Sequence, residues 1–175
     1  MIKQINWVDI LAVIILFRTC YIGVNKGFWV ETFKFLGTTL GAILSLYYYE
    51  NLTQFLKYHI LIPQTILKIF CLIGIFLGVV FIFKLIRLIL QTLMKVEVLA
   101  GLERLGGAII GLARGAITIS IILITLAILP SEYTIRSIKE RSFLGPHLLK
   151  IVPAIYSLAL KLYPSLVNKG EVPHF

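Results

Sequence analysis

The sequence predicts an all-α, polytopic membrane protein, a bundle of about four transmembrane helices followed by an amphipathic C-terminal helix. Apolar residues make up 59% of the 175 residues and charged residues only 14%, whereas soluble domains have about 45–50% and about 25%. The apolar residues are gathered into blocks about as long as a bilayer is thick, and no alternating strand pattern occurs. Because helices satisfy their own backbone in hydrocarbon, these blocks predict membrane-spanning helices.

The first predicted span covers residues 6–23 and is the weakest of the four. Asp9 and Arg18 bracket only eight uninterrupted apolar residues. About ten apolar side chains contribute roughly −4 kcal/mol to insertion, and two charges at the helix centre can cancel that amount. We therefore expect this helix to need partner helices in order to insert.

The second predicted span covers residues 28–49 and has aromatic side chains at both ends. Phe28 and Trp29 begin it, and three consecutive tyrosines end it at Tyr49. Aromatic side chains of this kind are enriched at the headgroup level of a bilayer. We expect both ends of this helix to lie at a membrane surface.

The third and fourth predicted spans have the strongest apolar character. The third, residues 65–90, contains an unbroken apolar run over residues 69–83. The fourth, residues 107–129, has about twelve Ile and Leu residues worth roughly −5 kcal/mol, which outweighs about +3 kcal/mol for Arg114. Pro130 is expected to end this helix.

Residues 1–130 thus form the predicted transmembrane domain, and residues 131–175 form a basic, amphipathic tail. Within the tail, the residues with the least apolar side chains recur at spacings of four, three and four and form one helical stripe: Lys150, Ala154, Ser157 and Lys161. Leu, Ile and Val side chains cover the rest of that segment. With Pro153 inside it, we expect an interfacial helix that is kinked or begins there, rather than a fifth span.

Pairs of glycines four residues apart occur in every hydrophobic region. Such pairs form a flat strip on a helix and let another backbone approach closely, which favours helix association in lipid. The strips are expected to pack helices within one chain or, alternatively, to mediate self-association. They comprise Gly23 and Gly27, Gly37 and Gly41, Gly74 and Gly78, and the series Gly107, Gly111 and Gly115.

Charged residues at membrane depth are costly and usually face a bundle interior or water. Six residues qualify by position: Asp9, Arg18, Glu31, Lys34, Arg87 and Arg114. Since Arg18, Glu31 and Arg114 lie at similar depth near one surface, we expect them to form a cluster, either a structural pair or part of a substrate or proton pathway. Asp9 is expected near the opposite surface, as an acid at a helix start.

The composition argues against nucleic-acid binding and catalysis. The net charge is +9, but the 17 Lys and Arg residues are scattered among apolar segments, as expected of residues that flank spans and attract anionic lipids. His59, His147 and His174 are far apart, and no phosphate-binding loop, dinucleotide motif or nucleophile elbow occurs. We predict no enzyme activity, cofactor or metal.

The distribution of basic residues predicts the orientation of the protein in the membrane. With four spans the two termini share a side, and the connections on the other side offer Lys26, Arg87, Lys95 and Arg104. The side of the termini offers Lys3, Lys57, Arg136, Lys139 and Arg141. Short loops have the greatest weight, so we expect the termini outside the cytoplasm.

Three segments resemble the colicin V production protein (CvpA) family: residues 6–10 (NWVDI), residues 23–31 (GVNKGFWVE) and residues 102–115 (LERLGGAIIGLARG). The resemblance extends over roughly residues 5–160, although Glu103 stands where the family more often has a smaller polar residue. It implies a multi-pass protein of the bacterial inner membrane, linked to colicin V production or export and to envelope physiology.

From these observations we expect a non-catalytic accessory factor for toxin production or export, or for envelope homeostasis. Its expected partners are the lipid bilayer, anionic lipids, and a second copy or an envelope or export protein. The alternative is a small transporter or channel built by oligomerisation, with Arg18, Glu31 and Arg114 lining the path. Detergent-resistant oligomers and loss of flux on Arg114→Ala would favour that alternative.

Overall fold

The computed structural model describes residues 6–58, 63–93, 100–129, 132–138 and 142–162. Within these ranges every regular element is a helix, which confirms the all-α prediction. Four helices are long and three are short. They are α1 (Trp7–Lys26), α2 (Phe28–Lys57), α3 (Gln64–Leu93), α4 (Ala100–Ile128), α5 (Glu132–Arg136), α6 (Gly145–Leu149) and α7 (Ile151–Leu162).

Three of the long helices are long and apolar enough to cross a membrane: Trp7–Lys26, Gln64–Ile89 and Glu103–Ile128. These correspond to the predicted first, third and fourth spans. Helix α2 has 30 residues, about 45 Å at 1.5 Å per residue, so its length exceeds the bilayer core of about 30 Å. However, α2 is less apolar than the other three long helices and is not among the candidate spans. The structure therefore supports three of the four predicted spans.

The long helices lie side by side in the order α1, α4, α2, α3. Most contacts between helices join α1 to α4, α4 to α2, and α2 to α3. Although α1 and α2 are consecutive in the chain, α4 separates them over most of their length. Gly27 makes the sharp turn between them with φ of 80°, a backbone conformation that favours glycine.

The two ends of this row of helices are distinct. Gly23 on α1 packs against Gly107 on α4, and Gly37 on α2 packs against Phe83 on α3, so both helix pairs are antiparallel. We name the end where α1 and α3 finish and α2 and α4 begin the Glu31 end. The opposite end, where α1 begins and α4 finishes, is the Asp9 end.

The C-terminal helices α6 and α7 pack on α4, and α7 also contacts α2. Their apolar face is buried in the bundle core through four residues: Leu148, Leu149, Val152 and Tyr156. Lys150, Ala154 and Lys161 of the predicted polar stripe are exposed. The apolar face of this amphipathic segment is therefore covered, at least in part, by the protein itself.

Pro153 is the third residue of α7, in a first turn whose N–H groups have no partner within their own helix. The helix therefore begins close to the proline, as the sequence predicts. The predicted helix stop at Pro130, the basic residues Lys139 and Arg141, and residues 163–175 lie outside the described part of the chain.

The outer surfaces of α1 and α3 expose large apolar side chains. Phe17 on α1 is 74% exposed, and Phe70 and Leu88 on α3 are 69% and 60% exposed. Soluble monomers rarely expose apolar patches of this extent. These surfaces are those expected of helices that face lipid.

Candidate functional site

Glu31 is the centre of the charged cluster at the Glu31 end. It lies in the first turn of α2, directly after the Gly27 turn, and its side chain is fully buried. Lys34 donates a hydrogen bond from Nζ to Glu31 Oε2 at 2.7 Å. Arg114 on α4 approaches the other oxygen, with 2.9 Å between Nε and Oε1. This second contact is an ion pair without hydrogen-bond alignment, and it links α2 to α4.

A cavity of about 180 Å³ opens beside this ion pair. Its walls come from α2, α3 and α4, and four of its eight lining residues are basic. The lining consists of Lys34, Gly37, Thr38, Val80, Phe83, Lys84, Arg87 and Arg114. With Glu31 included, four cations and one carboxylate give this centre a formal charge of +3.

Arg87 has a buried side-chain nitrogen, Nε, that lacks a hydrogen-bond partner among the described residues. A buried polar group without a partner is uncommon in folded proteins because its desolvation is not compensated. Arg87 also lies close enough to Arg114 to repel it.

Arg18 lies outside the paired core of this centre. The sequence groups it with Glu31 and Arg114 by depth, but its side chain is exposed on α1. Among the described residues it forms no salt bridge, and it interacts with Arg114 as a repelling charge. Lys34, Lys84 and Arg87 are the cations that the fold brings to the cavity instead.

Asp9 forms a second charged centre at the Asp9 end, where neutral groups surround the carboxylate. Asp9 is 7% exposed. Its Oδ1 accepts hydrogen bonds from Ser142 Oγ at 2.6 Å and from the Leu144 N–H at 2.9 Å. Its Oδ2 accepts from the N–H groups of Asn6 and Phe143, both at 3.2 Å.

Three further hydrogen bonds attach the C-terminal segment to the bundle. Asn6 donates from Nδ2 to the Ser137 carbonyl at 3.1 Å. Ser120 on α4 accepts a hydrogen bond from the Val152 N–H at 3.1 Å and donates to the Leu149 carbonyl at 3.4 Å. Because Val152 is the second residue of α7, Ser120 satisfies a helix-start N–H that has no partner within its own helix.

The predicted glycine strips fall into two groups. Seven glycines lie at close contacts between helices or at the α1–α2 turn: Gly23, Gly27, Gly37, Gly41, Gly107, Gly111 and Gly115. A Cβ atom at Gly107 would collide with the Gly23 backbone, so α1 and α4 touch backbone to backbone. Gly74 and Gly78 on α3 face open space, since a Cβ atom there would meet nothing within 4 Å.

The remaining reactive side chains are dispersed. Among the described residues, no group of three or more His, Cys, Asp or Glu side chains lies together that could hold a metal ion. Cys71 is buried and Cys20 is half-buried, and both are free thiols. His147 is exposed, and the predicted loop residues His59 and His174 lie outside the described residues. What the two charged centres can do is hold helices together and, at the Glu31 end, attract an anion.

The fold and these two centres define a helical membrane protein with ionic groups inside the bundle. The family model described as colicin V production protein matches residues 8–153. The chain belongs to the colicin V production protein family, as its sequence motifs indicate. No curated protein and no solved structure matches it.

Proposed function

We propose that this protein is a multi-pass protein of the bacterial inner membrane that acts as a non-catalytic accessory factor for toxin production or export, or for envelope homeostasis. The observation that carries this proposal is the family match, which extends over most of the chain. The ionic contacts of Glu31 with Lys34 on α2 and Arg114 on α4 are consistent with it, because a carboxylate engaged by two cations is poorly suited to proton transfer.

The proposal includes α2 as a fourth span. Four of the polar side chains of α2 are buried within the protein, namely Glu31, Thr38, Ser45 and Thr53. The hydroxyls of Thr38, Ser45 and Thr53 donate to carbonyls of their own helix, so they need no water. Its outer face has exposed apolar side chains such as Leu36 and Leu40. A helix placed between α4 and α3 can therefore span without being uniformly apolar.

Four spans place both termini on the same side of the membrane, and the basic residues favour the outside of the cytoplasm. The test is a pair of C-terminal fusions, one to a phosphatase active outside the cytoplasm and one to a fluorescent protein active inside. Phosphatase activity would support termini that face outward. Fluorescence alone would mean that the bundle has the opposite orientation or that the number of spans differs from four.

The accessory role predicts a phenotype that depends on protein abundance rather than on transport. A strain that lacks the gene is complemented with wild type, Arg114→Gln, or the control Arg104→Gln, whose site is exposed on α4. Secreted bacteriocin activity and detergent sensitivity are measured beside the amount of protein in the membrane. We expect Arg114→Gln to lose function in proportion to its loss of abundance.

The second candidate function is a small oligomeric transporter or channel, favoured by the basic cavity and by the outward-facing strip of Gly74 and Gly78. Reconstituted vesicles would then show ion or solute flux, and Arg114→Ala would abolish the flux at normal abundance. Detergent-resistant oligomers would accompany it. A monomer without flux would leave the accessory role, with a partner protein of the envelope or export machinery.

A further inference from the structure

We propose that the cavity between α2, α3 and α4 binds a phosphate group, either that of an anionic phospholipid headgroup or that of a free phosphate-bearing solute. The site goes beyond the accessory role, and the inference rests on the proposed insertion of α2 beside α3 and α4. Its cationic side chains come from all three helices: Lys34 from α2, Lys84 and Arg87 from α3, and Arg114 from α4.

The charges around the cavity do not balance. Glu31 engages Lys34 and Arg114. Among the residues that the structure describes, neither Lys84 nor Arg87 forms a salt bridge, so the centre has an excess of positive charge. Unpaired cations at membrane depth are costly, and a bound anion would compensate them.

The cavity also offers several hydrogen-bond donors to a ligand. The buried Nε of Arg87 lacks a partner, and a guanidinium presents several donors in a planar fork that matches phosphate oxygens. Lysine adds a point charge with three donors. A cavity with two guanidinium and two ammonium groups therefore fits an oxyanion with several acceptor oxygens.

The size and the position of the cavity also suit a phosphate group. A volume of about 180 Å³ is more than ten times the roughly 10–15 Å³ that one water molecule requires. Arg87 lies two residues before Ile89, where the apolar span within α3 ends, about 3 Å along the axis. This is close to the headgroup level of a bilayer, and the apolar walls Val80 and Phe83 suit the start of an acyl chain.

The experiment uses the purified full-length protein in neutral detergent. Acetylation rates of individual lysines are measured by mass spectrometry with added short-chain phosphatidylglycerol, phosphatidylcholine or inorganic phosphate. We expect phosphatidylglycerol to slow acetylation of Lys84 several-fold and to leave Lys68 unchanged. Lys68 lies on the same helix near its other end and does not line the cavity. Because this footprint is read on the wild type, it does not depend on whether a variant folds.

Affinity of matched variants gives the second readout. We expect Lys84→Gln/Arg87→Gln to bind phosphatidylglycerol about tenfold or more weakly, since charge-assisted hydrogen bonds are lost. Lys68→Gln/Arg104→Gln removes the same number of charges from the same two residue types outside the cavity and is expected to bind as the wild type does.

The outcomes separate the two sources of phosphate. Protection by phosphatidylglycerol and not by inorganic phosphate identifies a lipid headgroup, whereas protection by inorganic phosphate identifies a soluble ligand. Absence of protection by both, or equal affinity of the two double variants, overturns the proposal. If loss of the protein changed neither export nor envelope properties but phosphatidylglycerol still protected Lys84, the accessory role would be contradicted and the phosphate site would be supported.

Discussion

Each end of the bundle contains a buried carboxylate, and the two carboxylates are stabilised by different kinds of groups. At the Asp9 end, one hydroxyl and three backbone N–H groups surround the acid, and all four donors are neutral. At the Glu31 end, the acid is engaged by two cations, and two more cations line the adjacent cavity.

The chemistry of the groups around each carboxylate determines the role of that end. Neutral donors leave the charge of Asp9 unchanged but attach the C-terminal segment to α1, because three of the four donors come from residues more than 130 positions away in sequence. The Asp9 end is therefore a structural attachment of the C-terminal segment. Cations neutralise Glu31 and leave positive charge in excess, so the Glu31 end both joins α2 to α4 and attracts an anion.

The largest expected effect is at the Glu31 end. Glu31→Gln removes the carboxylate charge and leaves Lys34 and Arg114 without their counter-ion, next to the cation Arg87. Breaking a buried ion pair on one side costs about 3–5 kcal/mol. We expect a loss of this size in the free energy of unfolding, measured by SDS titration of the purified protein in mixed micelles.

The matched control is Glu50→Gln, because Glu50 is exposed and glutamine keeps an acceptor for the Tyr49 hydroxyl. It is expected to change the free energy of unfolding by less than about 0.5 kcal/mol. Equal effects of Glu31→Gln and Glu50→Gln would contradict the ionic role of Glu31. A double variant Glu31→Gln/Arg114→Gln should recover part of the loss, since it removes one of the unpaired cations.

The next effect is at the Asp9 end and is local. Asp9→Asn keeps one acceptor oxygen and turns an amide group toward a donor, so it costs about 1.5–3 kcal/mol. We expect faster amide hydrogen exchange in peptides that cover residues 142–149, with little change in α2 and α3. Exchange that rises uniformly over the whole chain would show that the two ends are not independent.

A smaller effect tests the backbone contact between α1 and α4. Gly107→Ala places a methyl group against the Gly23 backbone, and overpacking of this kind costs about 1–3 kcal/mol. Gly78→Ala is the matched control: it meets open space and gains up to about 1 kcal/mol of helix propensity. Opposite signs in the unfolding assay are expected, and a loss in both variants would mean that Gly78 packs against a second molecule.

The smallest effect concerns the attachment of α7. Ser120→Ala removes the acceptor of the Val152 N–H and is expected to cost about 1 kcal/mol. Ser157→Ala is the control, because the Ser157 hydroxyl donates within its own helix. Unfolding free energies of the two variants that agree within error would argue against a role of Ser120 in holding α7.

Helix positions followed well from hydropathy, and the deviations have physical causes. Helix α2 continues from the predicted end at residue 49 to Lys57, and α4 begins at Ala100 instead of residue 107. The added turns contain polar residues such as Glu50 and Glu103. Hydropathy excludes such residues from a span, but a helix can continue beyond the bilayer because its backbone remains paired.

The sequence predicted only part of the two charged centres. Depth along the helices grouped Glu31 with Arg114 and equally with Arg18, but depth does not give the direction in which a side chain leaves its helix. Lys84 was missed, although its spacing of three from Arg87 places both on one face of α3. The partners of Asp9 include backbone N–H groups, which every residue except proline has, so no sequence pattern marks them.

The four-span arrangement depends on whether α2 crosses the membrane, and cysteine labelling can measure this. In a background with Cys20→Ala and Cys71→Ala, single cysteines are introduced by Asn25→Cys, at the Glu31 end, and by Tyr58→Cys, at the other end of α2. Both native side chains are exposed. A membrane-impermeant thiol reagent is applied to cells before and after the cytoplasm is opened. We expect Tyr58→Cys to react from outside and Asn25→Cys to react only after the cytoplasm is opened, which is the result for a helix that spans. Reaction of both from the same side would contradict the four-span arrangement.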